Sequence, residues 1–446
     1  MIKLAMVYPS RVKENVSAEL LYSPLALGYL ARHTPDDYKI TLYDEYVGSD
    51  IDPDTVDADL VAVSAITPGI WRAYEIGDRL KKRGIKTIIG GAHVTALPEE
   101  ALRHYDTVCS GEGEGPWIQF LKDFESGKTK DTYYGPCNVS LDKLGTPRRD
   151  MCHPNYQYPS AMTSRGCPYS CSFCYLTVFK DRKYRTIPHE AILEDLDSIK
   201  NNFAVIVTDE NFIGYAEKDF EDRKILLEKM IRKNYKFFWG CQSTTTLATQ
   251  PELMDLMYRS GCRGVFVGFE TVEQEGLKQI HKNHNIGLDY KEIIAKLHDH
   301  KLAVIASTIL GLDSHTKNYP KQLIKAMKKA QVDFPRVFFA TAWPGTPFFE
   351  SLEKEGRASR NWDEVRKDVP SIKFKHFSSE EAIAARKEIV DAFFNVFSVL
   401  RVVSRWFFKE RTLLFMYLKM SIRNRISERL IRRRKYGDKE KESVSS

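Results

Sequence analysis

Cys167, Cys171 and Cys174 stand in the run Thr163-Ser-Arg-Gly-Cys-Pro-Tyr-Ser-Cys-Ser-Phe-Cys-Tyr175, a CxxxCxxC triplet directly after a short apolar stretch. Thiolates are the usual protein ligands of iron–sulfur clusters, and their spacing is the sequence clue to such a site. Three on one tight loop can take three irons of a cubane and leave the fourth without a protein ligand. A complete ligand set suits electron transfer, whereas an open metal position is a place to bind substrate; the same distinction separates structural from catalytic zinc. The competing readings are a zinc knuckle or buried structural cysteines. Zinc needs four ligands, and no second cysteine or histidine pair lies nearby at finger spacing.

Such a loop has to be held by a scaffold, and the pattern around it predicts one. After residue 155, strand candidates at 161–164, 204–208, 237–241, 264–269, 302–309 and 336–340 alternate with helical stretches, which reads as a partial (βα)6 TIM-type barrel. The polar residues that stand out each follow a strand: the cysteine loop, Asp209-Glu-Asn211, Ser243, Glu270, Gly311 and Trp343-Pro-Gly-Thr346. Barrels of this kind carry their chemistry at the carboxyl ends of their strands. Ahead of the barrel, apolar runs at 2–7, 39–43, 60–64, 87–89 and 107–109 alternate with helical patterns at 24–32, 69–82 and 116–124, the signature of a doubly wound, flavodoxin-like (Rossmann-type) parallel sheet. Its predicted strand ends carry Thr67-Pro-Gly69, Gly90-Gly-Ala-His93 and Ser110-Gly-Glu-Gly-Glu-Gly115, where glycines let the backbone approach a flat ligand or simply make tight turns. The expected division is therefore an α/β chain with a first domain at 1–130, a Pro/Gly/Asp-rich linker at 131–155, a barrel at 156–350 and a helical, basic-aromatic extension at 351–446.

The cysteine loop, down to Phe173 before its last cysteine and Tyr175 after it, resembles the radical S-adenosylmethionine (SAM) superfamily. The first domain resembles the cobalamin-binding domain that precedes the barrel in a large subgroup of that superfamily, through Ser23-Pro-Leu-Ala-Leu-Gly28, Gly90-Gly91 with His93, and Gly111-Glu-Gly-Glu114. Together the two resemblances cover roughly residues 1–380. They imply a 4Fe–4S cluster on Cys167, Cys171 and Cys174 whose open iron chelates SAM and whose electron releases a 5′-deoxyadenosyl radical. They also imply SAM contacts from Tyr175, Asp209, Glu210, Ser243, Glu270 and Gly311, and cobalamin contacts from Thr67, Gly90, Gly91, His93, Gly111, Glu112 and Gly113. No catalytic side chain beyond the cluster and cofactors is implied. The Asp-x-His-x-x-Gly motif of cobalt-ligating histidines is absent, as is common in the subgroup, and His33, His93 and His104 lack its context. For Asp209 and Glu270 the bland alternative is helix capping; for the first domain it is a sheet without ligand. His281, His284, His298 and His300 read as solvated, and Trp343-Pro-Gly-Thr-Pro347 as a rigid architectural turn.

The implied reaction is methyl transfer from methylcobalamin to an unactivated carbon of a hydrophobic substrate, with a flavodoxin- or ferredoxin-like reductant. The alternatives are a non-methylating radical reaction, such as anaerobic oxidative cyclisation or carbon-skeleton rearrangement, or a non-enzymatic iron–sulfur electron carrier or redox sensor. Composition is that of a globular protein, 43% apolar and 28% charged over 446 residues, and five of the 8 cysteines are scattered without paired spacing. Residues 1–8 run into a strand pattern rather than a secretory signal, so a reducing, cytoplasmic and anaerobic setting is expected. The net charge of +7 is concentrated at the end: residues 401–435 hold 12 Lys/Arg against 2 Asp/Glu, which leaves the rest near neutral and argues against nucleic acid. From about residue 391 to 435 aromatics alternate with cations, and the longest apolar run, 413–418, is far short of the roughly 20 residues a bilayer span needs. This tail either lies on a membrane surface or packs on the barrel as a lid.

Overall fold

The computed structural model describes residues 1–10 and 22–410. Strands β1 (Ile2–Tyr8), β2 (Tyr38–Asp44), β3 (Leu60–Ser64), β4 (Lys86–Gly90), β5 (Thr107–Gly111) and β6 (Thr132–Gly135) form one parallel sheet in the order β2-β1-β3-β4-β5-β6. Their apolar runs are continuous because helices cover both faces: Leu4, Ala5, Met6 and Val7 of β1 and the first four residues of β3 are all buried. The order reverses at β1, whose neighbours are β2 and β3, and in such sheets the crevice beyond the carboxyl ends at the reversal is where ligands bind. The strand β6 falls in the stretch expected to be linker. It is a four-residue edge strand in which only Tyr133 and Gly135 face inward, so its apolar content is too slight to stand out in the sequence.

The second sheet is the partial barrel. Strands β7 (Ser160–Ala161), β10 (Ala204–Val207), β11 (Phe238–Ser243), β12 (Cys262–Glu270), β13 (Ala303–Leu310) and β14 (Phe334–Phe339) pair in parallel in the order β14-β13-β12-β11-β10-β7. The strand expected at 161–164 is broken in two. Ser164–Arg165 (β8) leaves the barrel and pairs antiparallel with Arg185–Thr186 (β9), bracketing the cysteine loop.

The two sheets share a core. One apolar cluster runs from Val7, Val61 and Tyr74 of the first unit to Phe348, Phe349 and Trp362 after the barrel. A partly buried polar node ties it together: Glu100 accepts from the Tyr74 hydroxyl at 2.9 Å and from Trp362 Nε1 at 3.0 Å.

Past the barrel, the helix Ser379–Phe394 opens on a capping box between Ser378 and Glu381, and the helix Val396–Lys409 follows. The second helix is docked through one face. Trp406 and Val402 are buried against Ala303 and Phe334, and fully buried Asp333 accepts from Trp406 Nε1 at 2.9 Å, Arg405 at 2.6 Å and His298 Nε2 at 2.7 Å. His298 is therefore an internal ligand of Asp333 rather than a solvated residue. The first turn of this helix is apolar and open, with Phe397 85% exposed beside exposed Val396 and Leu400. The part of the tail from 411 to 446 lies outside the described residues. Among the described residues no helix is long and apolar enough to cross a membrane.

Candidate active site at the meeting of the two sheets

The cysteine loop is anchored on several sides. The Cys174 amide donates to the Cys171 carbonyl at 3.0 Å, the Ser172 amide to Ile280 at 2.9 Å, and the Phe348 amide to the Ser172 carbonyl at 3.1 Å. Arg182 Nη2 donates to the Tyr169 carbonyl at 3.0 Å, and the Tyr169 ring stacks on His284 with centres 3.8 Å apart. All three cysteines are free thiols, Cys171 fully buried and the others half-buried. Burial raises each thiol above its ordinary value, Cys171 to about 11, so a metal has to displace the proton to make the thiolate ligand. Among the described residues no three His, Cys, Asp or Glu side chains converge closely enough to hold one ion. A cubane makes no such demand, because each thiolate takes its own iron.

Asp209 has a different place from the one expected. It is wholly buried and accepts from the Thr163 amide at 2.7 Å, the Thr163 hydroxyl at 2.5 Å and the Ser164 hydroxyl at 2.6 Å, while Arg223 donates to the same Thr163 hydroxyl at 2.8 Å. These bonds bend the chain between β7 and β8 and aim it into the cysteine loop, so Asp209 braces the loop instead of facing a ligand. Its neighbour Glu210 does face the cavity and takes the Gly166 amide at 3.1 Å. Glu270 is buried in an ion pair with Lys282, 3.1 Å apart, and Ser243 is buried at the end of β11 with only a long contact to the Thr244 carbonyl at 3.4 Å. At Gly311, φ +99°, an added Cβ would lie 2.3 Å from the Phe374 ring, so this glycine admits Phe374.

A cavity of about 330 Å³ opens between the first sheet and the loop. Gly90, Gly91, Gly111, Glu112 and Gly113 line it from the strand ends, and Tyr175 and Glu210 from the barrel side, so these expected residues are brought together. Thr67 and His93 are not. The turn at Gly91, φ +114°, packs against Ala65, whose carbonyl oxygen would lie 2.3 Å from a Cβ there. It sends the next helix, Ala92–Ala96, inward. His93 ends up 1% exposed, bonded to Thr67 Oγ1 at 3.2 Å and Glu100 at 3.3 Å, and edge-on to Trp362. Ser243, Glu270 and Gly311 also lie off this cavity's wall.

Sequence reading missed the charges that join the two walls. Arg165, from β8, holds Glu114 at 2.6 and 3.0 Å, and Arg185, from β9, holds Glu112 at 3.0 Å. All four are largely buried at the cavity rim. Burial pushes the Glu114 carboxyl up, but Arg165 more than offsets it and leaves Glu114 below the usual carboxylate range. The signal was present in Gly111-Glu-Gly-Glu114 and in Arg165 two residues before Cys167, but partners 51 and 73 residues apart cannot be matched by spacing.

The cavity suits a flat, mostly apolar group lying on strand ends. Leu27, Leu30, Trp117, Leu176 and Phe179 line it, and among the described residues no histidine does.

Residues 162–327 match the Radical SAM superfamily and residues 15–120 the B12 binding domain. The chain is 28% identical to a bacteriochlorophyllide d C-12(1)-methyltransferase of Chlorobaculum tepidum, over 81% of this chain and 80% of that protein. It is 26% identical to a hopanoid C-2 methylase of Rhodopseudomonas palustris, over 75% and 65%. Among solved structures, the cobalamin-dependent S-adenosylmethionine radical enzyme OxsB with aqua-cobalamin and S-adenosylmethionine bound superposes with a TM-score of 0.68 at 16% identity, covering 97% of this chain and 72% of that one. At that identity the likeness speaks to the fold.

Proposed function

The chain belongs to the radical SAM superfamily, with a B12-binding domain ahead of its barrel, and on that premise we propose that it methylates an unactivated carbon of a hydrophobic substrate. The observation that carries this reading is the shared cavity, bounded on one side by the strand ends of the B12-binding sheet and on the other by residues flanking the cysteine loop. A cofactor on the first wall and a ligand at the second face each other across it. Methyltransferase-named relatives of both tetrapyrrole and hopanoid type support the reaction class.

In this reading Cys167, Cys171 and Cys174 hold the cluster, and Gly90, Gly91, Gly111 and Gly113 give cobalamin its bed. When bound, the cluster with SAM supplies a hydrogen-abstracting radical and cobalamin supplies the methyl group. The chain's own part is placement. Glu210 offers a carboxylate to the ammonium of SAM, a pairing strengthened by the low-dielectric site. Arg165–Glu114 and Arg185–Glu112 fix the spacing of the walls, and the apolar lining keeps water from reactive species. An external one-electron reductant and a small-molecule substrate are required, as in the family; a flavodoxin or ferredoxin fits the first role. The test is incubation of anaerobically reconstituted enzyme and SAM bearing a deuterated methyl group with an extract of a deletion strain. A metabolite that gains the labelled methyl supports the proposal; a product oxidised at unchanged carbon count points to cyclisation and sinks the methyl transfer.

The second helix of the extension favours access from a membrane surface. Its inner face is used by Val402 and Trp406, whereas Val396, Phe397 and Leu400 are exposed, and the basic run of 401–435 follows in sequence. Cations near an anionic surface contribute about 1 kcal/mol each. Binding to phosphatidylserine vesicles is expected at low salt, weakened at high salt and lost on Phe397→Asp with Leu400→Asp. Intact protein that ignores such vesicles makes the exposed face a protein contact instead.

A further inference from the structure

Residues 280–285 follow the short helix Gln274–Gln279 and press against the back of the cysteine loop at more than one point. The Ile280 carbonyl holds the Ser172 amide, and the His284 ring covers Tyr169. Between these contacts Lys282 is buried, with its Nζ 3.1 Å from Glu270 Oε1. A buried ammonium is costly unless it is paired, and a pair of this kind is weak grounds for stability by itself.

The backbone around the pair is shaped to admit it. Glu270 closes β12 with φ +65°, a conformation that a side-chain-bearing residue keeps only where its surroundings over-determine it, most often at functional sites. A Cβ at Gly268 would lie 2.4 Å from Glu270 Oε1 and 3.0 Å from Lys282 Nζ, so the strand omits a side chain where the ion pair sits. Asn285, fully buried, locks the same bend by donating to the Gly268 carbonyl at 3.0 Å while accepting from Thr245 at 2.9 Å.

The pair also has a direction. Lys282 lies between the two residues that touch the loop, Ile280 on the Ser172 amide and His284 on the Tyr169 ring, whereas Glu270 sits at the end of β12. The cationic end of the pair is therefore the one on the loop side. Burial disfavours the Lys282 ammonium, and the Glu270 carboxylate 3.1 Å away offsets it and leaves it charged.

We propose that Lys282, oriented by Glu270, is a positioning charge for the cluster, a fixed cation behind the cysteine loop that favours the reduced form. The step it biases is the gain of one electron by the iron–sulfur centre from the external reductant, with no bond broken and no proton moved. The inference rests on Cys167, Cys171 and Cys174 being the cluster ligands.

The experiment uses full-length, anaerobically reconstituted protein with matched iron content, poised with dithionite and mediators at the midpoint potential of the unaltered enzyme. The reduced fraction is read by electron paramagnetic resonance. Lys282→Met is expected to lower the ratio of reduced to oxidised cluster about tenfold, which for a one-electron couple is about 59 mV. Glu270→Gln is expected to raise it, because the opposing charge is gone. A purely structural pair would move neither ratio, or both in one direction, and a Lys282→Met protein with full cluster and an unchanged ratio overturns the proposal. Should Lys282→Met fail to hold a cluster, Glu270→Gln decides: a raised ratio supports the proposal, and no change or a fall overturns it. Cluster retention in Cys171→Ala would overturn the ligand assignment, and the inference with it.

Discussion

The two walls of the cavity are built on opposite principles. The wall from the first sheet is made of bare backbone and apolar side chains, with Gly90, Gly91, Gly111 and Gly113 at the strand ends and Leu27, Leu30 and Trp117 beside them. The wall from the barrel is underlain by charge and sulfur. Glu210 faces the cavity beside the cysteine loop, and behind the loop stand the Glu270–Lys282 pair and Asp209 with its three donors and Arg223 behind Thr163. The difference follows from what each would hold. A large flat cofactor is gripped by shape, so absent side chains are the recognition element. A small charged cluster is controlled by its field, so buried charges in fixed positions are. Among the described residues only Glu112 and Glu114 carry charge on the first wall's rim, and arginines from the second neutralise both.

The sharpest way to break the comparison is to disable one wall and assay the other. Cys171→Ala should abolish cluster content and SAM cleavage, since no other cysteine lies at this spacing, while cobalamin uptake persists; an iron assay and cobalamin absorbance on one sample check both. Gly113→Phe should do the reverse. A Cβ at Gly113 meets only Leu30 Cδ2, at 3.5 Å, and its φ of −82° suits any residue, so the ring fills the cavity without straining the fold. Cobalamin uptake should fall by well over tenfold with the cluster intact. Loss of both cofactors in either variant would show that the walls are not independent. Gly91 would not serve, because substitution there collides with Ala65 and unfolds the turn.

The joint between the walls comes next in size. Arg165→Ala leaves Glu114 buried and unpaired, an error worth about 3 kcal/mol in unfolding free energy by urea titration. The double change with Glu114→Ala should cost less than the two single changes together, because each removes the other's partner.

The smallest expected effect concerns the barrel behind the site. His315 is fully buried between Thr271 and the amides of Gly311 and Leu312, and burial lowers it from 6.5 to about 3. Its folded value is the depressed one. Its contribution is therefore intact above the unfolded value and is lost as pH falls, since the unfolded chain takes a proton that the native imidazole refuses. Stability should drop by up to about 1.4 kcal/mol per pH unit below the unfolded value, and His315→Gln should remove that slope. An equal slope in the variant would assign it to other groups.

Much of the molecule was legible because it is written locally. The apolar runs of β1 and β3 are fully buried strands, the alternation of strands and helices places them in parallel sheets, and the CxxxCxxC loop is where the pattern put it. Local reading failed where a side chain's direction is set by something distant. Asp209 follows β10 just as Glu210 does, yet the hydroxyls of Thr163 and Ser164 claim the first and leave the second to the cavity. His93 follows Gly91 by two residues, but the close approach of Ala65 turns it into the core between the sheets. His298 sits on a helix of polar pattern, and Asp333 draws it inward.

The sequence alone determined the kinds of element, their order and the thiol spacing, because these depend on periodicity and on the reach of a short loop. Which residues face the cavity, which charges cancel across it, and that Lys282 stands behind the cysteines were decided by the tertiary structure. The pairs responsible lie 12 to 73 residues apart, and a buried charge is settled by whichever partner packing brings within hydrogen-bond distance, a quantity no local pattern encodes.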